Sequence, residues 1–413
     1  MLSRVESQWD VMHRFTSVAV FLFGAVALVV PTGYSLGPVL LLLTSLMLVV
    51  RRSPRVLTAS DRWVVGVLLL YGSVVGGLSL WDLGLRGFDR PVRFLLAVPV
   101  LLLILRYPPR LSWLWSGLAV GAIGAGSWAM WLKMAEGIER VGGFLHPIQF
   151  GNLSMLMGVL CCAGLGWAAT RQRRVGWVAL LLLGVVMGMI GSFMSGSRGG
   201  WVGLPVVGFV LYRGYGRQLP LGVKAGAVGA VLLLVAIVYG LPQTGVQQRV
   251  DEAVSDISLY VSGGERDTSL GLRFEMWRGA AQLIQERPLL GWGESGYRNA
   301  MEALGEQGVI SPMAAEFGHA HNEFIDAFAK RGLVGLGVLL LLYMVPIRLF
   351  ASGLAHQDYA LRSLAVAGML LPVAFIDFGL SQTFLAHNSG AMFYAFWLAV
   401  LWGSYSARRR YVV

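Results

Sequence analysis

A chain of 413 residues with 56% hydrophobic and only 13% charged residues cannot cover its own surface with water-facing groups. Soluble domains carry nearer about 25% charged residues, so a cytosolic globular enzyme, a disordered chain and a disulfide-stapled secreted scaffold are excluded, and a polytopic membrane protein remains. In such a protein the net charge of +11 reports orientation rather than nucleic-acid binding, because Lys and Arg gather in short cytoplasmic loops.

Crossing hydrocarbon takes about 20 apolar residues. Runs of roughly that length fall at about 15–30, 36–50, 63–80, 91–105, 111–131, 148–170, 175–194, 200–212, 219–240, 333–350, 362–383 and 386–404, which reads as about twelve transmembrane helices. The first is preceded by Arg4 and Arg14 in the manner of a secretory signal. Only Pro31-Thr32-Gly33-Tyr34 follows it, with no small-residue cleavage site, so it reads as a retained anchor. The adjacent Cys161 and Cys162 lie inside an apolar run and make no disulfide framework. No internal repeat or low-complexity tract is visible.

A cytoplasmic N-terminus puts the clusters at Arg51, Arg52 and Arg55, at Arg171, Arg173 and Arg174, and at Arg408 to Arg410 on the same side of the membrane. Both termini are then cytoplasmic. The chain divides into helices 1–9 over residues 1–240, a periplasmic loop domain over 241–332, and helices 10–12 with a tail over 333–413. The loop holds more than half of the 22 acidic residues. Long extramembrane stretches are where function is to be sought.

Polar groups at the outer surface or within the spans come in four places. Arg86, Arg90 and Arg93 stand beside Asp82 and Asp89, a cluster explained by internal pairing or by attraction to phosphorylated lipid. His146 and Gln149 stand at the outer start of the sixth span, where a histidine is more often a satisfied interfacial residue than a catalyst. Ser195-Gly196-Ser197-Arg198-Gly199-Gly200 is a single arginine amid small residues. It reads either as a tight turn with a snorkelling cation or as a donor fork free for phosphate oxygens. Asp377 lies within the eleventh span, where a carboxylate is costly.

In the loop, Val250, Val254, Ile257 and Val261 show helical spacing. So do Leu270, Phe274, Trp277, Ala281 and Ile284, with Arg273 and Arg278 on opposite edges of that stripe and Glu275 pointing away. Such arginines can border a face lying on the membrane surface. Gly291-Trp292-Gly293-Glu294-Ser295-Gly296 matches a dinucleotide-binding pattern but has no strand before it, and reads as a turn. The loop closes with Gly318-His319-Ala320-His321-Asn322-Glu323. As a helix it would place His321 with Ile325 and Phe328, and His319 with Glu323 and Asp326. His321 in apolar packing stays neutral and can act as a base. His319, Glu323 and Asp326 offer a metal few ligands, and a polar helix cap without chemistry is the remaining reading.

An apolar platform with outward arginines and a neutral histidine suits a lipid-anchored diphosphate donor. Arginines neutralise the leaving diphosphate, and the histidine takes the acceptor's proton. The spacing His321-Asn322, nine residues, Gly332, two residues, Gly335 resembles the histidine signature of bacterial O-antigen ligases, shared with O-antigen polymerases and O-linked oligosaccharyltransferases. The Ser-x-Ser-Arg element ending at Arg198 and the Leu272-Arg273-x-Glu275-x-Trp277 element are similar to that family's two arginine sites.

The resemblance implies an all-α, glycosyltransferase type C-like fold in the bacterial inner membrane, with a periplasmic active site and no metal or cofactor. It implies an inverting transfer of O-antigen polysaccharide from undecaprenyl diphosphate to lipid A-core oligosaccharide. His321 would be the base, with Arg198 and Arg273 on the diphosphate. His319, Arg278, Arg86, Arg90 and Gln149 are further candidates by position alone. A polymerase or oligosaccharyltransferase on the same donor is the near alternative. A lipid or polysaccharide transporter is the distant one, since it predicts acidic residues lining a path and only Asp377 lies in a span.

Overall fold

The computed structural model describes residues 2–50, 57–197, 199–222, 224–226, 229, 239–240 and 246–412. All regular elements among them are helical. In chain order they are α1 (Leu2–Ala25), α2 (Gly33–Val50), α3 (Ala59–Leu83), α4 (Leu85–Phe88), α5 (Val92–Arg106), α6 (Leu111–Met134), α7 (Pro147–Ala169), α8 (Arg174–Met194) and α9 (Leu204–Gly214). After these come α10 (Val246–Val261), α11 (Ser269–Glu286), α12 (Gly293–Glu306), α13 (Pro312–Ala315), α14 (Glu323–Ala351), α15 (Tyr359–Gly379) and α16 (Asn388–Val412). Met1–Gly214 with Gly337–Val413 form one compact unit and Tyr215–Leu336 a second.

Among the described residues five helices, α3, α7, α8, α14 and α15, are long and apolar enough to cross a membrane. Helices also occupy six of the other apolar runs, but α5 and α9, at 15 and 11 residues, fall short of a full span. The run at 219–240 falls largely outside the described residues. In the first unit α7 and α15 are interior helices, with 83% of their apolar windows buried against 33% for α8. The outward faces carry exposed Leu43, Leu182, Leu183 and Phe209, as suits a surface bathed in hydrocarbon.

Two local devices hold this unit. Where α1 meets α6, a Cβ on Gly121 would stand 2.0 Å from the Gly24 carbonyl oxygen, so the backbones touch as small residues allow. At the start of α3, Thr58 and Asp61 form a capping box. The Asp61 carboxylate is fully buried, accepts from Trp402 Nε1 at 3.0 Å and Ser406 Oγ at 2.7 Å, and pairs with Arg410, which ties α3 to α16.

The second unit has its own core, in which Ala280 and Leu283 of α11, Tyr297, Met301 and Leu304 of α12, Ile310, Ala315 and Ala329 pack together. Helix α11 starts at the Thr268 cap, whose hydroxyl accepts from Gly271 N at 3.1 Å. Its buried face is Gly271, Glu275, Met276, Gly279, Ala280 and Leu283. The expected apolar stripe from Leu270 to Ile284 is instead partly exposed, and Glu275 points inward. The reason is that Glu275 finds partners there: Tyr260 Oη donates to it at 2.7 Å and Ser311 N at 2.8 Å, with Arg266 and Arg278 at 3.9 and 3.8 Å. On α10 the stripe of Val250, Val254, Ile257 and Val261 is exposed.

Helix α14 breaks at Gly332, whose φ of 60° and ψ of −163° are open only to glycine. The break lets the turn after α11 dock on it, with Pro288 O accepting from Leu333 N at 2.7 Å, Leu289 O from Val334 N at 3.3 Å and Ala329 O from Trp292 N at 3.1 Å. A Cβ at Gly332 would meet the Leu289 carbonyl at 2.1 Å. The Gly291-to-Gly296 pattern is thus a docking turn and the start of α12. Gly332→Ala is expected to destabilise the second unit by more than about 3 kcal/mol. Limited proteolysis of the purified protein should show earlier nicking within 262–331.

Candidate active site

The His319–His321 stretch is not helical. The helix starts at Glu323, because the Asn322 side chain caps it, Oδ1 accepting from Phe324 N at 3.0 Å and Ile325 N at 3.1 Å. His321 therefore precedes the helix in an irregular loop and holds a φ of 48°, one of two non-glycine residues with positive φ among those described. Strained backbone of this kind persists only where the surroundings enforce it, and it gathers at functional sites. The expected helical grouping of His321 with Ile325 and Phe328 does not form.

The loop is held from three sides. Trp277 Nε1 of α11 donates to Ala320 O at 2.8 Å, and Ala320 N donates to Asp326 Oδ1 at 3.0 Å. Lys330 Nζ donates to Gly318 O at 2.8 Å while pairing with Asp326 at 3.1 Å and Glu294 at 3.0 Å. The two histidine rings stand edge to face with centroids 4.1 Å apart, and Phe317 lies 5.6 Å from His321. His319 Nδ1 accepts from His321 N at 3.3 Å. That contact is one the Nε2–H tautomer of a neutral imidazole can accept. Burial lowers its pKa, against a smaller upward pull from Asp326.

The two loop arginines differ. Arg273 is half-buried and makes no ion pair or hydrogen bond among the described residues, and burial lowers its pKa. A half-buried cation without a partner is a group that can take an anion. Arg278 is exposed and lies 3.8 Å from Glu275, so part of its charge is already answered. Arg273 and Trp277 are four apart on one face of α11. The indole contact with Ala320 thereby joins the arginine-bearing helix to the residue beside His321.

In the first unit, Arg198 lies outside the described residues. The residues before it are anchored by Ser195 Oγ donating to Ser192 O at 2.7 Å, Ser197 N donating to Ser195 Oγ at 3.1 Å, and Ser197 Oγ donating to Asn152 Oδ1 at 3.3 Å. Gln149, one turn before Asn152 on α7, is buried, and its Nε2 has no partner among the described residues. His146 caps α7, its Nδ1 accepting from Ile148 N at 3.3 Å. Asp377 accepts from the Gly203 amide ahead of α9. Arg86 and Arg90 are exposed and unpaired among the described residues, whereas Arg93 bonds Asp89 at 2.9 Å and Asn388 at 2.7 Å.

The sequence model of the O-antigen ligase family matches residues 183–340. That stretch contains the Arg198, Arg273 and His321 elements together with Gly332 and Gly335. The match is a likeness to the O-antigen ligase family over well under half of the chain. Over 158 residues, 38% of the chain, it is 27% identical to an O-antigen ligase of Escherichia coli K12, covering 34% of that protein. It is also 29% identical over 385 residues to an uncharacterized protein of Haemophilus influenzae, covering 92% of this chain and 95% of that one. These likenesses, with the apolar helices, support a membrane protein related to the O-antigen ligase/polymerase superfamily.

Sequence reasoning missed Lys330 and Glu294. The one signal was Asp326 and Lys330 at i and i+4, a spacing that pairs charges on a helix. Two outcomes follow from this geometry. Glu275→Leu leaves the buried Ser311 N unmet and takes the acceptor from Tyr260 Oη, and should cost about 2–4 kcal/mol in thermal or denaturant unfolding. For His319, the folded value lies below the ordinary value of about 6.5, so the unfolded chain binds the extra proton and stability falls as pH drops through that value. A pH series of unfolding temperatures should show that decline in the wild type and a shallower one in His319→Gln.

Proposed function

We propose that the chain is an O-antigen ligase of the bacterial inner membrane. It transfers O-antigen polysaccharide from undecaprenyl diphosphate to lipid A-core oligosaccharide at a periplasmic active site, with both termini cytoplasmic. The observation that carries the reading is the Trp277 to Ala320 bond, which links the Arg273 helix to the His321 loop inside one compact unit.

The chemistry runs as one displacement. The acceptor hydroxyl oxygen bonds to the anomeric carbon as the bond to the diphosphate oxygen breaks, and the electron pair leaves with the diphosphate. Attack opposite the leaving group inverts the carbon. His321 takes the hydroxyl proton. Arg273 and Arg198 answer the charge growing on the diphosphate, which needs no proton if cations meet it. Arg278, partly engaged by Glu275, contributes less. Arg86 and Arg90 remain available to acceptor or lipid phosphates, and Gln149 is a further candidate by position.

With purified protein, undecaprenyl-diphosphate-linked glycan and lipid A-core, transfer should persist in EDTA; its loss there would end the metal-independent mechanism. His321→Ala should lower the rate by at least about a hundredfold. Arg273→Ala and Arg198→Ala should weaken use of the donor, and unchanged donor dependence would return both to an interfacial role. In a deletion strain, long glycan retained on undecaprenyl diphosphate supports a ligase, whereas single repeat units would mark a polymerase.

A further inference from the structure

Residues 318–321 form an irregular loop, yet Gly318 O, Ala320 N and Ala320 O are each met by a side chain from a regular helix. Lys330 holds Gly318 O at 2.8 Å, Asp326 holds Ala320 N at 3.0 Å and Trp277 holds Ala320 O at 2.8 Å. The bonds approach the peptide units on either side of His319 and just before His321, whose φ of 48° they leave little freedom to relax. The anchors themselves are fixed. Lys330 and Asp326 have side chains only 3% and 5% exposed, and Glu294 and the Tyr297 ring, 5.1 Å from the ammonium, complete its surroundings.

We propose that Trp277 and Lys330 are positioning residues, which through the backbone of Gly318 and Ala320 set the orientation of His321 for transfer. The inference rests on the reading of His321 as the base. Lys330 does this as a cation: it pairs with the buried Asp326 and reaches Glu294, so a neutral side chain there leaves Asp326 without its ion-pair partner among the described residues and its hold on Ala320 N no longer fixed. Trp277 does it as a hydrogen-bond donor, since Phe fills most of the same space and cannot reach the carbonyl. Small displacements of a reacting group cost much in rate, on the order of a hundredfold for about 1 Å.

The test uses the full chain with lipid-linked donor and lipid A-core. Trp277→Phe is expected to lower kcat by about tenfold or more, with KM for the donor within about twofold and an unfolding temperature near that of the wild type. Lys330→Met should lower kcat further, and Lys330→Arg, which keeps the cation, should recover part of it. Trp292→Phe is the control: its indole donates to Leu283 O at 2.9 Å within the core, so its loss should lower the unfolding temperature and leave kcat per folded molecule unchanged. Wild-type kcat in Trp277→Phe, with His321→Ala inactive, overturns the positioning role and leaves the function standing. Wild-type transfer by His321→Ala overturns the function and the positioning role together. If Lys330→Met does not fold, Trp277→Phe alone decides. A fall in its kcat matched by an equal loss of folded protein, as for a core contact, counts against the proposal.

Discussion

The second unit is organised by a buried ion pair. Asp326 and Lys330 sit one turn apart on α14 with almost no solvent around either. Removing one partner from such a pair typically costs about 3–5 kcal/mol, because the other charge is left unmet. The pair has no spare capacity to lose: one carboxylate oxygen of Asp326 also receives Ala320 N, and the ammonium also reaches Glu294 and Gly318 O. The start of α14, the first turn of α12 and the histidine loop are therefore held by one electrostatic node.

Glu275 plays a comparable part on α11. A carboxylate inside a helix face built mostly of Gly, Ala, Leu and Met is tolerated because a phenol, an amide and two guanidinium groups reach it from α10, from the loop before α13, from the connection between α10 and α11 and from its own helix. Its neighbours in sequence then have distinct duties. Arg273 keeps its charge unanswered among the described residues, Trp277 reaches the histidine loop, and Arg278 leans on Glu275. A six-residue motif thus encodes one structural anchor, one cation and one tether rather than three ligands of a substrate.

How much of this was legible in the sequence follows from range. Apolar runs predicted helices because lipid demands unbroken apolar length, a local property. The helix over 270–286 was legible from spacing, but its buried face was not, since small residues and a satisfied carboxylate displaced Phe274 and Trp277 from the interior. His321 was legible as a candidate through its motif and misplaced in conformation, because Asn322 caps the helix one residue later. Lys330 escaped notice because what singles it out is burial, and burial depends on Glu294 and Tyr297, more than 30 residues earlier.

The broken helix at Gly332 also says where this protein can change length. The turn from Arg287 to Gly293 is bonded backbone to backbone with residues 329–334, so one added residue would carry those carbonyls out of reach of the amides they serve. The connection from Ser262 to Asp267 is exposed throughout, and its principal backbone bonds lie within itself and the end of α10. An inserted residue is therefore accommodated more easily in the connection between α10 and α11 than in the turn after α11, which is held to a single length.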